Sequence, residues 1–200
     1  MSIDHYRTLA GLAETRIKVE RSEFLAIGFP CTTDDQFFGS LQQIEKRHFD
    51  ATHHCWAFRL FAHGATRQRS SDAGEPSGTA GRPILAAVES ADLFDLGVVV
   101  VRWYGGVKLG TGGLSRAYRD AAMEMIRAAQ LEERILYARY DVEVPFDSVG
   151  VLYRLLDPPN IVVRSESFAE KNIYTIEARL SRAGEFERSL TERQLAFTPH

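Results

Sequence analysis

The chain has 200 residues, of which 44% are hydrophobic, 26% charged and 10% aromatic. These are ordinary values for a globular protein. Its net charge of −3 excludes a protein that coats nucleic acid by bulk positive charge, though not a local basic patch.

The first predicted element is a hairpin. Ile17 and Val19 alternate with Arg16, Lys18 and Glu20, and in residues 22–29 Phe24, Ala26 and Gly28 face one way while Leu25, Ile27 and Phe29 face the other. Asp34–His48 is a predicted helix capped by Thr33, with Phe37, Leu41, Ile44 and Phe49 near helical spacing. Residues 54–62 alternate as a strand, and the polar, glycine-rich 63–78 read as a long loop. Thr79–Ser90 follows as a helix, with Pro83 in its first turn. Leu96–Tyr104 is a buried strand by its apolar run, and Leu114–Gln130 a helix after the segment GGVKLGTGG.

Beyond residue 130 the predicted order is a strand over Ile135–Val144, a helix over Asp147–Leu156 capped by Asp147, a hairpin of Ile161–Phe168 and Ile173–Leu180 around AEKN, and a helix over Ala183–Gln194. This βαββα order is ferredoxin-like without its last strand. Only Ala196–His200 remains, and Pro199 argues against its pairing. Residues 1–130 carry no net charge and 13 of the 15 glycines, whereas 131–200 carry −3. The shift predicts two domains, 1–130 and 131–200. No stretch is long and apolar enough to span a membrane and no signal-peptide pattern opens the chain, so no membrane partner is expected. Cys31 and Cys55 form no CxxC pair, which fits a reducing cytoplasm.

The segment 105–113 has five glycines in nine residues between a buried strand and a helix. Such a turn leaves backbone N–H groups at a helix start, which suits an anion. From Leu96 to Arg119 there are four basic residues (Arg102, Lys108, Arg116, Arg119) and no acid. The candidate phosphate or nucleic-acid contacts are therefore Arg102, Gly105, Gly106, Lys108, Gly110, Gly112, Gly113, Arg116 and Arg119. The competing reading is a tight packing turn with solvated cations. The segment is neither a Walker A motif nor GxGxxG, since Thr111 follows Gly110 and Ser115 stands where the third glycine would be.

Asp72 and Glu75 are the only acids between Ala51 and Ala80. They read either as carboxylates ordering their own loop or as ligands for Mg²⁺ with a phosphate. His54 and Cys55, adjacent on a strand, point to opposite faces and form no nucleophile–base dyad. A buried Cys55 beside a hydrogen-bonded histidine is expected instead. Residues 51–71 also lack acids and carry Arg59, Arg67, Arg69 and three histidines. With 96–119 they could form one positive face, where Trp56, Trp103 and Tyr104 would stack bases if exposed.

DAGEPSGTAGRPIL followed by VVVVRWYGGVKLGTGGLSRAY, with ATHHCWAF and the earlier RSEF, resembles the signature of the YigZ/IMPACT family. The resemblance covers about residues 20–130. It implies an α+β chain: a ribosomal protein S5 domain 2-like α/β sandwich, then a ferredoxin-like domain similar to the last domain of elongation factor G. It also implies a role in translation, because eukaryotic members regulate translation under amino-acid starvation. It carries over no catalytic residue, and no cofactor is expected. The leading expectation is a non-enzymatic cytoplasmic binding module for RNA, the ribosome or a translation factor. Its alternative is an enzyme that binds a small phosphate or nucleotide with the same loop, using Asp72 or Glu75 and Mg²⁺.

Overall fold

The computed structural model describes residues 4–62, 65–168 and 171–200. His63, the start of the expected loop, and Ala169 and Glu170 of the AEKN turn lie outside the described residues. The chain forms two compact units, Arg7–Glu133 and residues 4–6 with Arg134–His200. Strands β1 (His5–Leu9) and β7 (Leu131–Ile135) pair as a two-stranded sheet. The sequence reading had no strand at β1.

The larger unit is an antiparallel five-stranded sheet in the order β2 (Ala13–Val19), β3 (Ser22–Pro30), β6 (Leu96–Trp103), β4 (His53–Ala62), β5 (Ala65–Ser71). Residues 24–29 of β3 and 96–101 of β6 form unbroken apolar runs because both faces are covered. Phe24, Ala26, Val98 and Val100 pack with helices α2 (Gly81–Ser90) and α3 (Gly110–Ala128). Leu25, Ile27, Phe29, Val99 and Val101 pack with helix α1 (Asp34–Arg47). The alternation read across residues 22–29 is the division between these two cores. This is the α/β sandwich implied for the first domain.

Thr33 caps α1 by accepting the Gln36 N–H at 3.3 Å, an arrangement worth about 1 kcal/mol. Phe37, Leu41 and Ile44 are buried, but Phe49 lies beyond the helix end and is 84% exposed. Within the expected loop 63–78, Ala65–Ser71 is strand β5, an arginine- and serine-rich edge held by pairing to β4 rather than by burial, while 72–78 is loop as expected. The α3 helix starts four residues earlier than expected, inside the glycine-rich segment.

The smaller unit has the sheet order β11 (Ala196–Pro199), β8 (Tyr137–Glu143), β10 (Asn172–Arg179), β9 (Ile161–Phe168), all antiparallel. Taken in chain order from β8, this is the 4-1-3-2 arrangement of a ferredoxin-like sheet. Tyr140, Val142, Tyr174 and Ile176 face a core shared with Leu152 of helix α4 (Val149–Tyr153) and Phe186 and Leu190 of helix α5 (Leu180–Glu192). The doubted last strand is present. Pro199 closes β11, an edge strand, where a missing N–H is tolerated. Asp147 does not cap α4; it lies in a 3-10 turn, Phe146–Ser148, that precedes it.

Candidate functional site

Strand alternation puts Arg102 on the side of the sheet that carries α3. There it is buried, at 5% exposure, and its Nη1 donates to Glu75 Oε1 at 2.6 Å. Nη2 donates to Ser22 Oγ at 3.2 Å. The same Glu75 oxygen accepts from Tyr118 Oη at 2.8 Å, and His53 Nε2 stands 3.9 Å from it. Arg102, read from sequence among the phosphate contacts, thus already has a buried counter-ion.

Cys55 Sγ reaches Tyr118 Oη at 3.3 Å and the Asp72 carbonyl at 2.9 Å. Burial pushes the Cys55 thiol up to about 12 and raises the Tyr118 hydroxyl well above its ordinary value. Cys55 is therefore a protonated core residue and not a nucleophile. His53 Nδ1 lies 3.0 Å from the Ala73 carbonyl and His54 Nε2 lies 3.1 Å from that of His48. The expected state is a buried cysteine beside one hydrogen-bonded histidine; Cys55 is buried and both His53 and His54 have such partners.

Asp72 orders its own loop. Its carboxylate accepts the N–H groups of Gly78 at 2.7 Å and of Ala80 and Gly81 at 2.9 Å. The Ala80 and Gly81 donors are ones that the start of α2 would otherwise leave unpaired. Burial opposes the ionised form, but the three backbone donors outweigh it and hold the carboxyl below its ordinary range. Asp72 and Glu75 therefore have separate sets of partners. Among the described residues no three His, Cys, Asp or Glu side chains cluster as metal ligands.

The glycines divide by task. Gly105 donates its N–H to Ser22 Oγ at 3.3 Å, and a Cβ there would stand 1.8 Å from the Arg21 carbonyl oxygen. Only glycine allows that backbone approach. Gly106 and Gly110 adopt φ of 85° and 69°, in the left-handed region. Gly112 and Gly113 lie in the first turn of α3, and a Cβ on Gly112 would meet nothing within 4 Å. Leu109 at the helix start offers no side-chain cap, and the first turn holds no acid. The leading amides of a 19-residue helix are thus available to an anion.

Lys108 beside this helix start, and Arg116 and Arg119 in the second and third turns of α3, are exposed, and no ion pair joins them to a carboxylate among the described residues. The second acid-free segment does not extend this surface. Arg67 and Arg69 turn to Asp34 of α1, at 2.8 and 3.5 Å, on the other side of the sheet. Arg59 lies over the Phe94 ring at 3.7 Å and 3.6 Å from Asp92. Trp56 stacks on Phe58, and Trp103 Nε1 donates to Asp50 at 3.1 Å. Of the three aromatics considered for stacking, Tyr104 is the open one, at 45% exposure.

Beside the α3 start is a cavity of about 370 Å³. Glu75, Arg102, Tyr104, Lys108, Gly110 and Leu114 are among its lining residues. Sequence reasoning listed Arg102 and Glu75 separately but missed their pairing and this cavity. One signal was available: an arginine at a core-facing position at the end of an apolar strand needs a nearby carboxylate.

A family model described as the Impact N-terminal domain matches residues 20–126. The chain is 32% identical over 165 residues to the IMPACT family member YvyE of Bacillus subtilis, covering 82% of this chain and 76% of that protein. It is 33% identical over 135 residues to an IMPACT family member of Haemophilus influenzae, covering 67% of this chain and 65% of the relative, just under two thirds of that protein's length. A crystal structure of a hypothetical protein shares the fold, with a TM-score of 0.71 at 23% identity, covering 98% of this chain and 97% of that one.

Proposed function

The chain belongs to the IMPACT family, and on that premise we propose that it is a translation-associated regulatory protein of the cytoplasm that binds RNA, as in the ribosome, through the surface at the start of α3. The observation that carries the reading is a line of three exposed cations that make no ion pair among the described residues, Lys108 just before the uncapped amides of α3 and Arg116 and Arg119 in its second and third turns. Phosphate groups are what such a surface accepts, through charge and through backbone N–H donors. The translation setting is supported by what the family resemblance implies.

Arg102 belongs to the support of this surface. Its pairing with Glu75 beneath the cavity holds β6 to the loop after β5. Gly105 brings the chain against Arg21, so that the turn before α3 keeps a fixed course. The rival Mg²⁺ enzyme reading has less support, because the Asp72 oxygens already accept three backbone donors.

Fluorescence anisotropy with a single-stranded RNA across a salt series tests the proposal. Three phosphate contacts give a slope of about −2 in log K against log salt. Alanine at Lys108, Arg116 and Arg119 together should remove most of that slope and weaken all RNA sequences alike. Binding that ignores salt, or an unchanged triple variant, would overturn the proposal.

A further inference from the structure

The cavity beside the start of α3 calls for a ligand different in kind from a strand lying across the surface. At about 370 Å³ it is near the small end of ligand sites, which run from ~300 to 1,000 Å³. That volume suits one small molecule or one nucleotide unit. Its lining has two characters. Lys108, Gly110 and Thr111 supply a cation and the first amides of α3. Pro76, Leu109, Leu114 and the Tyr104 ring are apolar or aromatic.

The helix start is not the sole support. Arg102, whose side chain is 5% exposed, also lines the cavity, and its Nε has no hydrogen-bond partner among the described residues. Its two Nη atoms donate to Glu75 and Ser22, which fixes the guanidinium under the cavity. Its charge is matched by Glu75, so its contribution to the cavity is a fixed wall rather than a strong field. The Arg102 guanidinium carbon lies 5.4 Å from the Tyr104 ring centroid, a contact that helps hold the ring.

We propose that this cavity binds a single nucleoside monophosphate unit, with the phosphate at the α3 amides and Lys108 and the base against Tyr104. The inference deepens the RNA-binding reading and rests on it for the source of the ligand. The same unit can come as a free mononucleotide or as the 5′-phosphorylated end of an RNA.

Isothermal titration of the full chain separates these. The probes are the four nucleoside 5′-monophosphates, the unphosphorylated nucleosides, inorganic phosphate, and one RNA oligonucleotide with either a 5′-phosphate or a 5′-hydroxyl. The inference expects a monophosphate to bind at least about tenfold more tightly than its nucleoside and than inorganic phosphate. Tyr104→Leu should lose about tenfold and Tyr104→Phe should retain binding, because stacking needs the ring and not the hydroxyl. Tyr104 is half-exposed, and urea unfolding of each variant checks that the fold is kept.

If the free monophosphates bind and the oligonucleotide end adds nothing, the ligand is a free metabolite. If the 5′-phosphate oligonucleotide binds more tightly than the 5′-hydroxyl one, the ligand is an RNA end. Either result supports the cavity. If no monophosphate binds and the two oligonucleotides bind equally with a steep salt slope, the cavity inference is overturned while surface RNA binding stands. If monophosphates bind but neither oligonucleotide does, the surface reading fails and the cavity inference stands.

Discussion

Glu75 gathers Arg102, Tyr118 and, at longer range, His53 around one carboxylate oxygen. Removing one partner of such a pair leaves the other charge buried and unpaired. Glu75→Ala should therefore destabilise the protein by about 3–5 kcal/mol, whereas pairing it with Arg102→Met should recover part of that loss. Urea unfolding of the single and double variants measures both. Asp72 gives a pH prediction. Its carboxyl is held below its ordinary value, so its stabilisation is complete above about pH 4, the range of an unfolded aspartate, and is lost as pH falls through the lower folded value. Asp72→Asn should cost about 1 kcal/mol at neutral pH, and the gap from wild type should narrow as the pH is lowered below 4. A gap that stays constant with pH would mean that the charge of Asp72 is not what orders its loop.

Among the elements, those with an apolar signature were legible in the sequence. Strands β3, β4 and β6 and helices α1, α2, α3 and α5 all fall close to their expected positions. Strand β5 was not legible, because Arg67, Gln68 and Arg69 have no apolar alternation; its ladder with β4 makes it a strand. Strand β11 was obscured by Pro199, which is unfavourable in a central strand and harmless at an edge. The start of α3 was placed too late because glycine is a poor helix former, yet Gly112 and Gly113 lie in its first turn, behind a left-handed Gly110. Gly112 offers a direct test. With nothing within 4 Å of an added Cβ, Gly112→Ala should stabilise the protein by about 0.5–1 kcal/mol. If phosphate approaches that turn closely, the same change should weaken RNA binding. Greater stability with unchanged RNA affinity would mean that the ligand does not reach Gly112.

Across the whole molecule, charge is the feature that a composition summary conceals. A chain of net −3 still carries an acid-free stretch from Leu96 to Arg119. The candidate cations there were legible because all four lie within it. Their division was not: strand alternation and the contact with Glu75 take Arg102 into the core, while Lys108, Arg116 and Arg119 stay at the surface. Separations of 27 residues for Arg102–Glu75 and 43 for Tyr118–Glu75 are closed only by the tertiary fold. No helix of the described residues is long and apolar enough to cross a membrane.

The most direct test of the central claim is co-sedimentation of the full chain with ribosomes across a salt series. Wild type would be compared with Lys108→Ala/Arg116→Ala/Arg119→Ala and with Arg154→Ala/Arg188→Ala/Arg193→Ala, three exposed arginines of the smaller unit, as a control for the same loss of positive charge. The account predicts that wild type and the control pellet with ribosomes at low salt and are released as salt rises, while the triple variant stays in the supernatant throughout. A triple variant that pellets like wild type, or a wild type that never pellets, would contradict it.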